Sequence, residues 1–300
     1  MHLIEYLIVK LLFLIFSSLS INAGKKIANI VYWFIAHVIK YRKKVILSNL
    51  SLVYGEHLPI EKEELLNSIY RNFVYLWMEF LQVSKLTKKS INDIFTIHNP
   101  EIFEDAVNRN NGCILLSGHF GNFEWLGQMY ALMGYKLTGI AKRQGNPYVN
   151  ELVEKNRKQF NIGVIYTKNA IPEGLKVLKN NEFLAIVTDQ DARKKGIFVD
   201  FMGLPSSTAV GPAIFHLRTG APLLFVISIR KDYGKFDVYY HLVAPSSKPQ
   251  TVTDEKIKEL TQLHTSFLDK WVRQYPDQWF WMHRRWKTKP VQTLKDKQLA

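Results

Sequence analysis

The sequence predicts an α/β fold, a single domain with a central mixed sheet flanked by helices and preceded by N-terminal membrane-anchoring helices. Three observations predict it. From about residue 95, short apolar runs alternate with helix-patterned segments, the signature of strands and helices sharing one sheet. The chain has 300 residues and is 47% hydrophobic, enough to bury a substantial core. The first 40 residues carry two apolar stretches, and a basic cluster follows them. The boundary falls at residue 45, with the anchor at 1–45 and the main domain at 46–300.

The elements follow in order. Residues 7–23 are apolar apart from Lys10 and a few small polar residues, and residues 27–39 include Tyr32 and Trp33. Neither stretch is an uninterrupted span of about 20 apolar residues. A short span, an interfacial hairpin and an amphipathic anchor all fit. Ser20-Ile21-Asn22-Ala23 imitates a signal-peptide cleavage site. Against secretion, Glu5 offsets Lys10, and Lys40-Tyr41-Arg42-Lys43-Lys44 favours the cytoplasmic side. Each basic residue near anionic lipid contributes about 1 kcal/mol to such retention. Residues 60–83 read as helical, with acids in the first turn and Leu65, Ile69, Phe73, Leu76 and Phe80 at helical spacing. That stripe fits a core face or a groove lining.

Beyond residue 95 the pattern reads strand 112–117, helix 123–133, strand 136–141, helix 147–160, strand 163–166, helix 172–179 and strand 183–188. A helix at 211–218, strands at 222–229 and 236–243 and a long helix at 254–274 complete it. There is no internal repeat, low-complexity segment or long linker.

The formal net charge of +14 calls for a polyanionic partner: nucleic acid, an anionic membrane surface or phosphorylated substrates. Seven Trp and fourteen Tyr suit a membrane interface, and would also suit single-stranded nucleic acid. The single Cys113 excludes an intrachain disulfide and a Cys-clustered zinc site.

The residues that could carry chemistry sit where apolar runs end. Cys113-Ile114-Leu115-Leu116-Ser117 leads into Gly118-His119-Phe120-Gly121-Asn122-Phe123-Glu124. This reads as a buried strand delivering an imidazole to its carboxyl edge, where open α/β sheets bind ligands. Gly118 and Gly121 remove bulk beside His119, and Asn122 is placed to cap the next helix. A His with a nearby carboxylate is the minimal kit for taking a proton from a hydroxyl. With His119 in the loop and Glu124 in the first helical turn, the two side chains can meet, and Glu124 would orient the ring.

Lys142 and Arg143 follow the next strand on the same edge, and Arg157 lies on the helix after it. Lys155 and Lys158 read as a solvated face, whereas Arg157 is suited to a phosphate or an oxyanion. Asp189 and Asp191 follow the strand at 183–188. Two carboxylates without a neighbouring His make a poor metal site, and hydrogen-bonded support of the loops is the simpler role. Phe201 to Thr208 leads through Gly211 and Pro212 into a helix whose amides could meet an anion. Trp279, Trp281 and Trp286 with His283, Arg284 and Arg285 resemble an interfacial surface or a stacking platform, with some of the rings in the core.

Together these blocks resemble the lipid A biosynthesis acyltransferase family, the late lauroyl and myristoyl transferases. The carriers are the N-terminal apolar segment, His119-x4-Glu124, Asn146-Pro147 followed by Arg157, and Asp189-Gln190-Asp191. Phe201, Gly203, Thr208 and Gly211 follow, then Pro276 to Arg285. The blocks cover nearly the whole chain in the family's order. One departs: Ala141-Lys142-Arg143 stands where many members have Tyr-Arg-Pro.

The resemblance implies transfer of a fatty acyl group from a thioester, carried by acyl carrier protein, to a hydroxyl of a lipid A precursor. His119, Glu124 and Arg157 would be catalytic. Lys142, Arg143, Asp189, Asp191 and Asn122 would bind substrate. No metal or cofactor is implied. The partners would be the acyl carrier protein, a phosphorylated glycolipid and an anionic membrane surface, with no nucleic acid. The expected place is the cytoplasmic face of the inner membrane.

Two other readings compete. One is a family member acting on another glycolipid or an aminolipid, with acyl-CoA as a possible donor. The other is a non-catalytic basic membrane- or nucleic-acid-binding protein, which leaves His119 and Glu124 without a role.

Overall fold

The computed structural model describes residues 2–290. Its N-terminal part is helical: α1 (His2–Ser18), α2 (Ile21–Phe34) running into a π-helical turn (Ile35–Ile39), α3 (Lys43–Tyr54) and α4 (Lys62–Leu81). Ser20 caps α2 and Glu61 caps α4 through side-chain hydrogen bonds to the first-turn amides. Gly24 lets α2 approach α4, because a Cβ there would lie 2.2 Å from Gln82 Oε1. Among the described residues no helix is long and apolar enough to cross a membrane. Instead α1 exposes Leu3, Ile4, Leu7, Ile8, Leu11 and Leu14, and the segment after it exposes Ile30, Trp33, Phe34, Val38 and Ile39.

The rest is one α/β unit, as expected. It comprises α5 (Ile91–Ile94), β1 (Phe95–Ile97), α6 (Pro100–Asn108), β2 (Cys113–Ser117), α7 (Phe123–Leu132), β3 (Leu137–Ala141) and α8 (Pro147–Lys158). Then come β4 (Gly163–Tyr166), α9 (Ala170–Lys179), β5 (Phe183–Val187), β6 (Ile197–Phe201) and β7 (Leu204–Thr208). The last elements are α10 (Gly211–Thr219), β8 (Leu223–Asp232), β9 (Lys235–Ala244) and α11 (Asp254–Gln274). The seven-stranded sheet has the order β1-β9-β8-β2-β5-β3-β4. It is mixed because β8 and β9 form an antiparallel hairpin while the remaining pairs are parallel.

Both sheet faces are covered, and β2 shows how. Ile114 and Leu116 pack into one core cluster, with α4, α10 and α11 residues. Cys113 and Leu115 pack into the other, with α6 and α7. A strand buried on both faces reads as a continuous apolar run, which is why β2 and β5 were legible. The hairpin β6–β7 was not. Its two-residue turn, Met202-Gly203, has positive φ at both positions (58° and 76°), the type I′ geometry that joins twisted strands. Met202 is an unusual residue for that position.

Candidate active site

The parallel register of β2 and β5 builds the site. Ser117 pairs with Val187, so the residues two places beyond each strand, His119 and Asp189, emerge side by side. His119 Nδ1 lies 2.6 Å from Asp189 Oδ1, and the His119 N–H donates to Asp189 Oδ2 at 2.8 Å. The indole of Trp279 donates to the same Oδ2 at 2.8 Å. With Nδ1–H given to the carboxylate, Nε2 is left as the basic nitrogen. It faces the side-chain amide of Gln190 at 3.3 Å and a groove in front of the ring.

Burial alone would lower the His119 pKa, but the charge and hydrogen bond of Asp189 raise it by more. Burial would likewise raise Asp189, and here the His119 ring, the His119 amide and the Trp279 indole prevail, holding it down at about 2. Asp189 is 5% exposed. Its contacts are those of hydrogen-bonded support for the ring and its loop, the simpler of the two roles read from the sequence.

Glu124 does not meet His119. It lies in the first turn of α7, where its Oε1 accepts from Arg157 Nη2 at 2.6 Å across to the last turn of α8. The Phe123 ring stands against the imidazole instead, with centroids 4.8 Å apart. The Glu124 charge adds to the upward push that Asp189 gives the His119 pKa. The pairing of Glu124 with Arg157 was not visible in the spacing, because it joins two helices across a strand.

The other expected substrate contacts divide. Lys142 and Arg143 are exposed after β3, on the same sheet edge as His119, and the Arg143 guanidinium lies 4.4 Å over the Tyr166 ring. Asn122 is fully buried; its Oδ1 accepts from the Trp125 N–H at 2.9 Å as the cap of α7, and its Nδ2 donates to Glu79. These bonds make it the helix cap expected from the sequence. Asp191 braces a loop: its carboxylate accepts from the Arg193 N–H at 3.0 Å and the Thr288 hydroxyl at 2.8 Å.

The closing aromatic block is not a surface. Trp279, Trp281 and Trp286 are buried, and Trp279 forms an antiparallel bridge with Phe120. The Phe280 N–H donates to His119 O at 3.0 Å, and the Gly121 N–H donates to Gln278 O at 3.0 Å. Arg285 is 1% exposed and donates to Ser207 O and Thr208 Oγ1, both at 2.5 Å, and to Gln190 O. Burial pulls its pKa down to about 10. The block is a strap that holds both the His119 and Asp189 loops.

In front of His119 lies a shallow, narrow groove whose lining includes Ile69, Asn72, Phe73, Leu76, Phe280 and Met282. The Phe73 ring stands 5.8 Å from Phe280 and stacks on Tyr41 at 5.6 Å. The helical stripe read from α4 thus meets the imidazole at one end. Among the described residues no group of three His, Cys, Asp or Glu side chains could hold a metal ion. The arrangement can take a proton at Nε2 beside a mostly apolar groove.

Residues 1–288 match the family model described as bacterial lipid A biosynthesis acyltransferase. The lipid A biosynthesis palmitoleoyltransferase of Escherichia coli (strain K12) is 24% identical over 260 residues, covering 84% of this chain and 81% of that one. The lauroyltransferase of the same organism is 23% identical over 256 residues, with the same coverage of 84% and 81%. A phosphatidylinositol mannoside acyltransferase of Mycobacterium tuberculosis (strain H37Rv) is 21% identical over 245 residues, 79% of this chain and 75% of its own. Among solved structures, the 1-acyl-sn-glycerophosphate acyltransferase of Thermotoga maritima aligns with a TM-score of 0.41 and 14% identity, over 87% of this chain and all of that one.

Proposed function

This chain belongs to the bacterial lipid A biosynthesis acyltransferase family and is an acyltransferase, and we propose that it esterifies a hydroxyl of a lipid A precursor with a fatty acyl group from acyl carrier protein. The observation that carries the mechanism is the His119–Asp189 pair, which leaves Nε2 as the basic nitrogen beside a mostly apolar groove, with only the Gln190 amide near it. Nε2 takes the proton of the acceptor hydroxyl, and the oxygen attacks the thioester carbonyl carbon. The tetrahedral oxyanion is stabilised by Arg157, which Glu124 holds in place, or by a backbone amide of the glycine-flanked loop. The C–S bond then breaks, and the imidazolium returns its proton to the leaving thiolate. An ester and a thiol result, with no acyl-enzyme. Cys113 is fully buried within β2, and burial pushes its thiol above the ordinary range.

The acyl chain lies along Phe73 and Leu76. Lys142 and Arg143, on the same edge, meet the phosphorylated headgroup or the acidic carrier protein. The exposed apolar residues of α1 and α2 rest in the cytoplasmic leaflet of the inner membrane as interfacial helices. A second reading, transfer to another glycolipid, is favoured by the name of the mycobacterial relative.

The test is lipid mass spectrometry on cells whose gene is deleted and then complemented with wild type or with His119→Ala. We expect one acyl chain missing from lipid A, restored by wild type only. Unchanged lipid A in the deletion would overturn the acceptor, and restoration by His119→Ala would overturn the mechanism.

A further inference from the structure

The reaction just described does not use Glu79, yet its carboxylate is fully buried on α4. Oε1 accepts from the Arg230 guanidinium and from the Gly234 N–H at 2.8 Å, and Oε2 accepts from Asn122 Nδ2 at 2.8 Å. All three partners are donors, so the pocket is built for a carboxylate. Burial pushes the Glu79 carboxyl up, and the Arg230 charge and the donors pull against that. A buried ion pair is a poor device for stability alone. Desolvation of the two charges offsets much of their attraction, and well-packed apolar residues often replace such pairs without loss.

The pair has a second effect, visible in its connections. Asn122 caps α7 three residues after His119. Arg230 Nη2 reaches Gly121 O at 3.4 Å, and its Nε donates to Asn72 Oδ1 at 2.8 Å. Asn72 Nδ2 and the Gly121 N–H both donate to Gln278 O, each at 3.0 Å. The Gln278 side chain in turn clasps the Arg230 backbone, accepting from its N–H at 2.7 Å and donating to its carbonyl at 2.9 Å. A closed ring of hydrogen bonds thus joins α4, β8, the strap before Trp279 and the backbone just after His119. Asp189 grips the imidazole; this ring grips the loop that carries it. Asn72 also lines the groove beside His119, so the helix that meets the groove's contents is wired to the same loop.

We propose that Glu79 and Arg230 are positioning residues: they clamp Gly121 and Asn122 so that His119 Nε2 faces the groove, and they couple the groove wall on α4 to that loop. The proposal rests on the reading of His119 as general base. A misplacement of about 1 Å at a reacting group can cost roughly a hundredfold in rate.

Two variants and a reference test it in the full chain. The assay is transfer from dodecanoyl acyl carrier protein to a phosphorylated glucosamine-disaccharide lipid. Asn122→Ser keeps a cap on α7 and cuts only the link to Glu79. Glu79→Leu/Arg230→Met removes both charges together and leaves neither unpaired. His119→Ala is the reference.

We expect kcat to fall about tenfold in Asn122→Ser and about a hundredfold in the double variant, with KM nearly unchanged, the pattern of lost transition-state geometry. The downfield proton resonance of the His119–Asp189 hydrogen bond should shift or broaden in both. Wild-type kcat and an unmoved proton in Asn122→Ser would overturn the clamp. Should the double variant not fold, Asn122→Ser alone decides. An inactive His119→Ala beside fully active clamp variants refutes only the positioning role. An active His119→Ala refutes the general base and the clamp with it.

Discussion

His119 and Asp189 stand at equal offsets beyond two paired parallel strands, and their side chains meet at 2.6 Å for that reason. The relationship makes the imidazole a stronger base than usual. Its pKa lies above 6.5, because the Asp189 contribution outweighs the burial that lowers it. A general base must be unprotonated, so kcat/KM should fall as pH drops through that raised value. In Asp189→Asn the acid limb should move to lower pH while the plateau falls by about 10² to 10⁴, as when a triad acid is removed. A pH–rate profile of both proteins checks this, and an acid limb that stays in place would refute the pairing.

The same pair has a signature in folding. Asp189 titrates at about 2 when folded and at 3.8 when free. Its depressed pKa contributes stability that is present above pH 3.8 and is lost as pH falls towards 2. Between those values Asp189→Asn should lose stability less steeply than wild type, as read by urea midpoints at a series of pH values.

Glu124 and Arg157 should behave as one unit. Their 2.6 Å bridge is mostly shielded, with side chains 16% and 20% exposed. Glu124→Gln and Arg157→Gln should each lower kcat/KM by about 10- to 100-fold. The double variant should be little worse than the worse single, a coupling within the range of about 0.5–3 kcal/mol for contacting residues. Strict additivity in that cycle would show the two acting independently.

Trp279→Phe retains the buried ring and deletes one hydrogen bond to Asp189 Oδ2. Removing a charge-assisted hydrogen bond costs about 1.5–3 kcal/mol. We expect a protein that folds, melts a few degrees lower and loses about tenfold in kcat. Circular dichroism and single-turnover rates separate the two effects.

Gly121 has a φ of +52°, and a Cβ there would sit 2.0 Å from Ser228 O. Gly121→Ala must therefore move the His119 loop off β8. It should destabilise the fold by more than about 1 kcal/mol and abolish transfer. Gly145 has open space around it, so Gly145→Ala serves as the control that should leave the melting temperature unchanged.

Much of this was legible in the chain, and for particular reasons. The runs at 113–117 and 183–187 announce strands buried on both faces, and their small or polar successors mark a ligand edge. His119 was placed at the sheet edge that way, whereas Arg157 was singled out on a helix by its charge. The partner of His119 was not legible, because strand order is a long-range property. Asp189 becomes its neighbour only once β5 is known to lie beside β2. The shared offset of His119 and Asp189 from their strand ends was the available signal. Which of the three tryptophans are core could not be read, because tryptophans among basic residues look alike in a core and at an interface. Arg285 shows why: its charge is met by backbone carbonyls that no local pattern reveals. Glu79 passed as one acid on an apolar helix, since its partner Arg230 lies 151 residues away.

The strap also sets a schedule. Asp189 and the Trp279 indole that steadies it are 90 residues apart. At translation rates of about 5–20 residues per second, that interval takes roughly 5–18 s. Throughout it the nascent chain already holds β2 and β5 but has nothing to fasten the loops at their ends. A polypeptide terminated by a premature stop inside that interval would keep its histidine and its aspartate and still be silent. With His119 as the base, each new molecule should stay inert during most of its own synthesis and become competent only after Trp279 docks.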